Sequence, residues 1–141
     1  MSMYIELARL GTEGQKALSA DATATCSALF FGEGEPPADF DSAHSIGLDY
    51  RTLLAMVEGM EEAEIDCRWT RCVMGEGDEG SEVDFEFTYG PAYVFSPKEV
   101  VAIAEGLATE AWDPEDDFEE NIARFFAHAA KEGQAIVGGV N

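Results

Sequence analysis

The sequence predicts an α/β fold, a single mixed sheet of about four or five strands flanked by helices. Three observations point there. Strand-like and helix-like segments alternate along the chain. Each helical segment carries one apolar stripe, so each has a single face to bury. Residues 83–88 (Val-Asp-Phe-Glu-Phe-Thr) alternate apolar and polar without a break, as a strand with one buried and one wet face does. At 141 residues and 15.3 kDa the chain has the size of one domain, spanning 1–141. It shows no internal repeat and no linker long enough to separate a pair of domains.

Tyr4 to Leu10 opens as a strand, with Glu6 and Arg9 interrupting the apolar positions. Thr12-Glu13-Gly14-Gln15 fits a capping box with Thr12 as N-cap and Gln15 reaching back, so a short helix is expected to about Ala20. Residues 21–45 carry little pattern beyond an apolar patch at Ala28-Leu29-Phe30-Phe31 and a loop at Gly32-Glu33-Gly34-Glu35-Pro36-Pro37. From Asp49, apolar residues recur at Tyr50, Leu53, Leu54, Val57 and Met60, the intervals of a helix that leaves Arg51, Thr52, Glu58 and Glu61 wet. Trp69 to Met74 is expected as a strand, closed by the acidic segment Gly75-Glu76-Gly77-Asp78-Glu79-Gly80. After the alternating strand, Tyr89-Gly90-Pro91 breaks the pattern and Ala92-Tyr93-Val94-Phe95 begins another.

Ser96-Pro97-Lys98-Glu99 is the sharpest local signal: Ser96 caps a helix, Pro97 suits its first turn, and Glu99 completes the box. Val100, Ile103, Ala104 and Leu107 make its buried stripe. A further helix opens at Asp113-Pro114, with Phe118, Ile122, Phe125, Phe126 and Ala129 on its apolar face. Arg124, His128 and Lys131 lie toward its end and Gly133 takes the C′ position, in keeping with the helix dipole. Gln134 to Val140 reads as a last strand, weakened by Gly138 and Gly139.

Eight Lys and Arg face 29 Asp and Glu, a net charge of −21. Nucleic acids and anionic lipid surfaces are bound through basic clusters, so neither is an expected partner. A basic protein is one, steered in by the field, although an acidic surface also serves solubility alone. No apolar run approaches the roughly 20 residues that span a bilayer, and the stretch from Met1 to Leu10 lacks the basic flank and apolar core of a signal peptide. A cytoplasmic protein is expected. Cys26, Cys67 and Cys72 are odd in number and do not fall in zinc-binding spacing, as expected of free thiols in a reducing compartment.

Chemistry-bearing motifs are few. There is no G-x-x-x-x-G-K-[ST] run, no G-x-G-x-x-G between a strand and a helix, and no G-x-S-x-G. Cys67 or Cys72 could meet His44 or His128, but nothing enforces that pairing, and core or edge thiols are the favoured reading. Glu76, Asp78, Glu79, Glu82 and Asp84 form a dense carboxylate loop that fails the EF-hand register and reads as solvated. Among 29 carboxylates no spacing singles out an acid and a base. In Arg68-Trp69-Thr70-Arg71, two of the few basic residues bracket a tryptophan, the residue types of interface hot spots, though pairing of Arg71 with the acidic loop is the favoured explanation. No metal and no cofactor is expected.

Several segments together resemble the YfbM-like family, a domain of unknown function. They are Met1-Ser2-Met3-Tyr4, the helix starting near Leu48-Asp49, Val73-Met74-Gly75 ahead of the acidic glycine loop, the run from Tyr89 to Val100, and the stretch from Ala129 to Val137. The order matches over nearly the whole chain. The resemblance implies a bacterial α/β domain with helices packed on a sheet, and it brings no activity and no catalytic residue. Many members carry a Trp in the helix that here reads Asp49-Tyr50-Arg51-Thr52-Leu53-Leu54, where this chain has none.

The leading expectation is therefore a non-enzymatic, acidic interaction protein that binds a basic protein partner in an immunity- or inhibitor-like role. Its partner-facing surface is placed at Asp113, Glu115, Asp116 and Asp117. The alternative is a small-ligand binder or enzyme with a pocket at the strand ends built from Arg51, Trp69, Arg71 and Tyr93. A third is an acidic mimic of nucleic acid. The sequence leaves the oligomeric state open.

Overall fold

A computed structural model describes residues 2–110 and 117–141. One five-stranded sheet is flanked by helices, as the pattern predicts. In chain order come β1 (Tyr4–Leu10), α1 (Thr12–Ala20), α2 (Ala22–Phe31), a 3-10 turn (Ser42–His44), β2 (Ser45–Asp49), α3 (Tyr50–Glu62) and α4 (Arg68–Val73). Then follow β3 (Ser81–Phe87), β4 (Gly90–Phe95), α5 (Pro97–Thr109), α6 (Asp117–Lys131) and β5 (Ala135–Val140). The strand order is β2-β1-β5-β4-β3, and every pairing is antiparallel.

Strand alternation divides the core in two. Ile5, Leu7, Phe95 and Ile136 face α3 to α6 and join Leu53, Val57, Val100, Ile103, Leu107, Ile122 and Phe126, all fully buried. Ala8, Leu10, Ala135 and Val137 face the other way, onto Leu18 of α1 and Cys26 of α2. There Phe30, Phe31, Phe85 and Phe87 stack with ring centroids 5.0–6.2 Å apart. At this range edge-on aromatic contacts add to the area they bury.

Arg9, an interruption of the apolar pattern in sequence, is itself buried at 8 % exposure. Its guanidinium lies 5.5 Å from the centre of the Phe125 ring and donates to Gln134 Oε1 and the Ala43 carbonyl, each at 3.4 Å. Burial lowers its pKa, against the attraction of Glu132.

Four local expectations change. Thr12 is not the N-cap of α1: Gly11 is, and the first-turn N–H groups of Glu13 and Gly14 are taken by the Asp39 carboxylate at 3.1 and 3.2 Å. Gln15 does reach back, donating to the Leu10 carbonyl. The segment 21–45 holds α2, capped by Asp21, and the start of the edge strand β2.

Trp69 to Met74 is no strand but the helix α4. A distant carboxylate overrides the β-branched and aromatic composition, because Glu110, at the far end of α5, accepts from the Trp69 N–H at 2.5 Å and from Thr70 Oγ1 at 2.6 Å. Gly138 and Gly139, expected to weaken the last strand, are where its neighbours press closest: in the central strand β5 a Cβ at Gly138 would stand 2.2 Å from the Glu6 carbonyl oxygen and one at Gly139 2.3 Å from the Phe87 ring.

The capping box of α5 forms in full: Ser96 Oγ accepts from Glu99 N–H and Glu99 from Ser96 N–H. Of the acidic surface named above, Asp113, Glu115 and Asp116 lie outside the described residues, as does the side chain of Asp117.

Candidate functional site

A cleft of about 340 Å³ opens where three segments meet: the start of α3, the 74–80 loop after α4, and the β3–β4 hairpin. Tyr50, Glu76, Glu79, Glu82, Tyr89 and Tyr93 supply its polar and aromatic wall. Ligand pockets run from about 300 to 1,000 Å³, so this one fits a single side chain or a small molecule.

Tyr93 forms the floor. It pairs across the sheet with Glu82 on one side and with Gly138 on the other, so a carboxylate stands beside the ring and no side chain crowds it from β5. Its hydroxyl donates to the Val73 carbonyl at 2.8 Å, and its ring meets Phe95 edge-on at 5.4 Å. Gly75 closes over it in the left-handed region (φ 81°), where a Cβ would stand 2.6 Å from the ring. The acidic loop is therefore an organised wall.

Its fastenings are ionic. Arg71 Nη1 donates to Glu76 Oε2 at 2.5 Å, while its Nε and Nη2 both reach Glu61 Oε1 at 2.9 Å. Arg68 bonds Glu79 at 3.2 Å and lies 4.5 Å from the centre of the Trp69 ring. Gly80 N–H donates to Glu99 at 2.6 Å, which ties the loop to the start of α5. Burial lowers the Arg71 pKa, but hydrogen bonds to Glu76 and Glu61 outweigh it and raise the net value. The favoured pairing of Arg71 with the acidic loop is thus observed.

The cleft carboxylates differ in freedom. Glu76 and Glu79 are held by arginines, whereas the exposed Glu82 carboxylate makes no hydrogen bond or ion pair with the described residues. The phenols of Tyr50 and Tyr93 stay neutral. Burial and then Glu76 push Tyr50 up, and the same two influences push Tyr93 well above the ordinary phenol range. Carboxylates against neutral tyrosine rings attract cations and repel phosphates and other carboxylates. The loop does spell G-x-G-x-x-G at Gly75, Gly77 and Gly80, but it runs from a helix to a strand with acids at each intervening position. That is the reverse of a phosphate cradle.

Of the four residues predicted to line a pocket, Tyr93 lines this cleft and the other three do not. Arg71 braces the wall through Glu76, Trp69 packs against Gly106 of α5, and Arg51 is exposed on α3. Tyr50 and Tyr89 are not singled out by sequence. Both sit in elements whose other residues explain them, a helix stripe and a strand break.

The thiols are poorly suited to nucleophilic work. Burial first, then hydrogen bonds to Glu61 and Glu79, raises Cys67 and Cys72 to about 11, so both stay protonated near neutral pH. Burial alone takes Cys26 to about 11. Among the described residues no three His, Cys, Asp or Glu are grouped to hold a metal, and no helix is long and apolar enough to cross a membrane. Comparison with family models, with curated proteins and with solved structures finds no match.

Proposed function

We propose that this chain is a non-enzymatic, acidic interaction protein that binds a basic protein partner, in an immunity- or inhibitor-like role. One observation carries the reading: three of the few arginines are engaged within the molecule and are not free to face a partner. Arg9 is buried, and Arg68 and Arg71 are bonded to Glu79, Glu61 and Glu76. The net charge is −21, and most of the described carboxylates are exposed. Such a surface speeds encounter with a basic partner and makes the complex sensitive to salt. The YfbM-like resemblance and a bacterial, cytoplasmic setting belong to the same proposal; three buried, free cysteines support the reducing compartment alone.

The test is capture by the immobilised chain. A partner retained at low ionic strength should be basic and should elute as salt rises. No retained partner, or one indifferent to salt, would count against the proposal. A second reading, a small-ligand binder, is favoured by the cleft itself, whose size suits a small cation.

A further inference from the structure

We infer that the cleft between α3, the 74–80 loop and the β3–β4 hairpin is a socket for one lysine or arginine side chain of the protein's partner. This rests on the basic-partner reading and adds where that partner is gripped. Carboxylates alone would not make a socket, since the chain carries them everywhere. What sets this place apart is a half-open cleft of about 340 Å³ whose wall combines tyrosine rings with acids. An aromatic face and a carboxylate together recognise an ammonium or guanidinium on a slender apolar stem, the stem lying on the ring and the head at the acid.

Preorganisation supports the assignment. Tyr93 is fixed by its bond to the Val73 carbonyl, Glu76 by Arg71, and Glu79 by Arg68, so little ordering is left for binding to cost. The Glu82 carboxylate, next to Tyr93 and unengaged, is the acceptor left over for an incoming cation. Tyr89, 37 % exposed, lines the same cleft from the hairpin turn.

A protein side chain, rather than a free amine, is indicated by what continues outside. Val83 and Phe85 pack on the opposite face of the sheet, and Asp84 and Glu86, both exposed, follow Glu82 along β3 through the stretch where its pairing with β4 shifts register. A row of carboxylates thus leads away from the socket and can meet further basic residues flanking the inserted one.

The experiment titrates the full chain at low ionic strength with two probes, N-acetyl-argininamide and a short arginine-glycine peptide, in wild type and in Glu82→Gln, Tyr89→Ala and Glu35→Gln. Glu82→Gln removes an exposed, unpaired carboxylate and leaves the fold intact, which circular dichroism checks. Glu35→Gln removes one charge from the distant loop after α2.

The socket predicts peptide binding that Glu82→Gln weakens about tenfold, equivalent to roughly 1.4 kcal/mol. Tyr89→Ala should weaken it by a smaller factor, and Glu35→Gln by less than about twofold, as befits a screened distant charge. Equal weakening by Glu82→Gln and Glu35→Gln would overturn the socket and leave the basic-partner reading standing. Binding of the argininamide with none of the peptide would overturn the partner side chain in favour of a small cation. Binding of neither probe would overturn both.

Discussion

Carboxylates do opposite work at the ends of α5 and in the cleft. At the ends of α5 two of them are turned inward to bind backbone: Glu99 accepts from Ser96 and Gly80, and Glu110 from Trp69 and Thr70 Oγ1. In the cleft, Glu76 and Glu79 are braced by arginines and Glu82 is left open to solvent. In a chain with 29 acids, residue type says nothing about role. Which donors surround each carboxylate decides whether it builds the fold or stays available to a partner.

The strongest way to break that contrast is to remove Glu110. It is 8 % exposed and supplies the acceptor for the start of α4, so Glu110→Ala strands buried donors and should cost about 2–3 kcal/mol in chemical denaturation. A loss below about 0.5 kcal/mol, the range of ordinary surface changes, would show that Glu110 does not hold the helix. Ser96→Ala at the other end of α5 should cost about 1 kcal/mol, the usual value of an N-cap. Glu82→Gln in the cleft should leave stability within about 0.5 kcal/mol.

Acid pH separates the two clamps. Burial outweighs the hydrogen bonds at Glu110 and raises its pKa. Its contribution is therefore full below the unfolded value near 4.5 and declines as pH rises through the folded one. At Glu99 burial also pushes upward, but hydrogen bonds from Gly80 and Ser96 win and lower the pKa. Its contribution is present above about 4.5 and is lost as pH falls through the folded value. Measured against pH, wild type should lose ground to Glu99→Gln and gain ground on Glu110→Gln as the solution is acidified. Parallel curves for the two variants would refute the contrast.

A modest effect is expected of Arg71→Met. Exposed ion pairs contribute about 0–1 kcal/mol, so stability should fall by no more than that. The variant should nonetheless bind the arginine-glycine peptide more tightly, because Glu76 loses its internal cation. Weaker binding with the fold intact would mean that Arg71 shapes the wall more than it neutralises it.

Legibility follows the range of the determining contacts. β1, α3, β3 and α5 are readable because their periodicity or caps lie within a few residues, the Ser96–Glu99 box above all. α4 reads wrongly as a strand because its cap, Glu110, is some 40 residues downstream in sequence. β2 escapes notice because Ser45–Asp49 is a short edge strand, buried only at Leu48. The count of strands agrees although one expected strand is a helix and one real strand goes unseen. Gly138 and Gly139 look like flaws until Glu6 and Phe87 are seen pressed against them. Of the cleft, Tyr93 is legible as a candidate. Tyr50 and Tyr89 are hidden, because only the sheet register and the turn of the 74–80 loop bring them together.

The most direct measurement is a crystal structure of the chain with the arginine-glycine peptide. One guanidinium should be seated between the Glu82 carboxylate and the Tyr93 and Tyr89 rings, with neighbouring basic residues along Asp84 and Glu86. A peptide ordered on another acidic surface, with this cleft vacant, would overturn the socket.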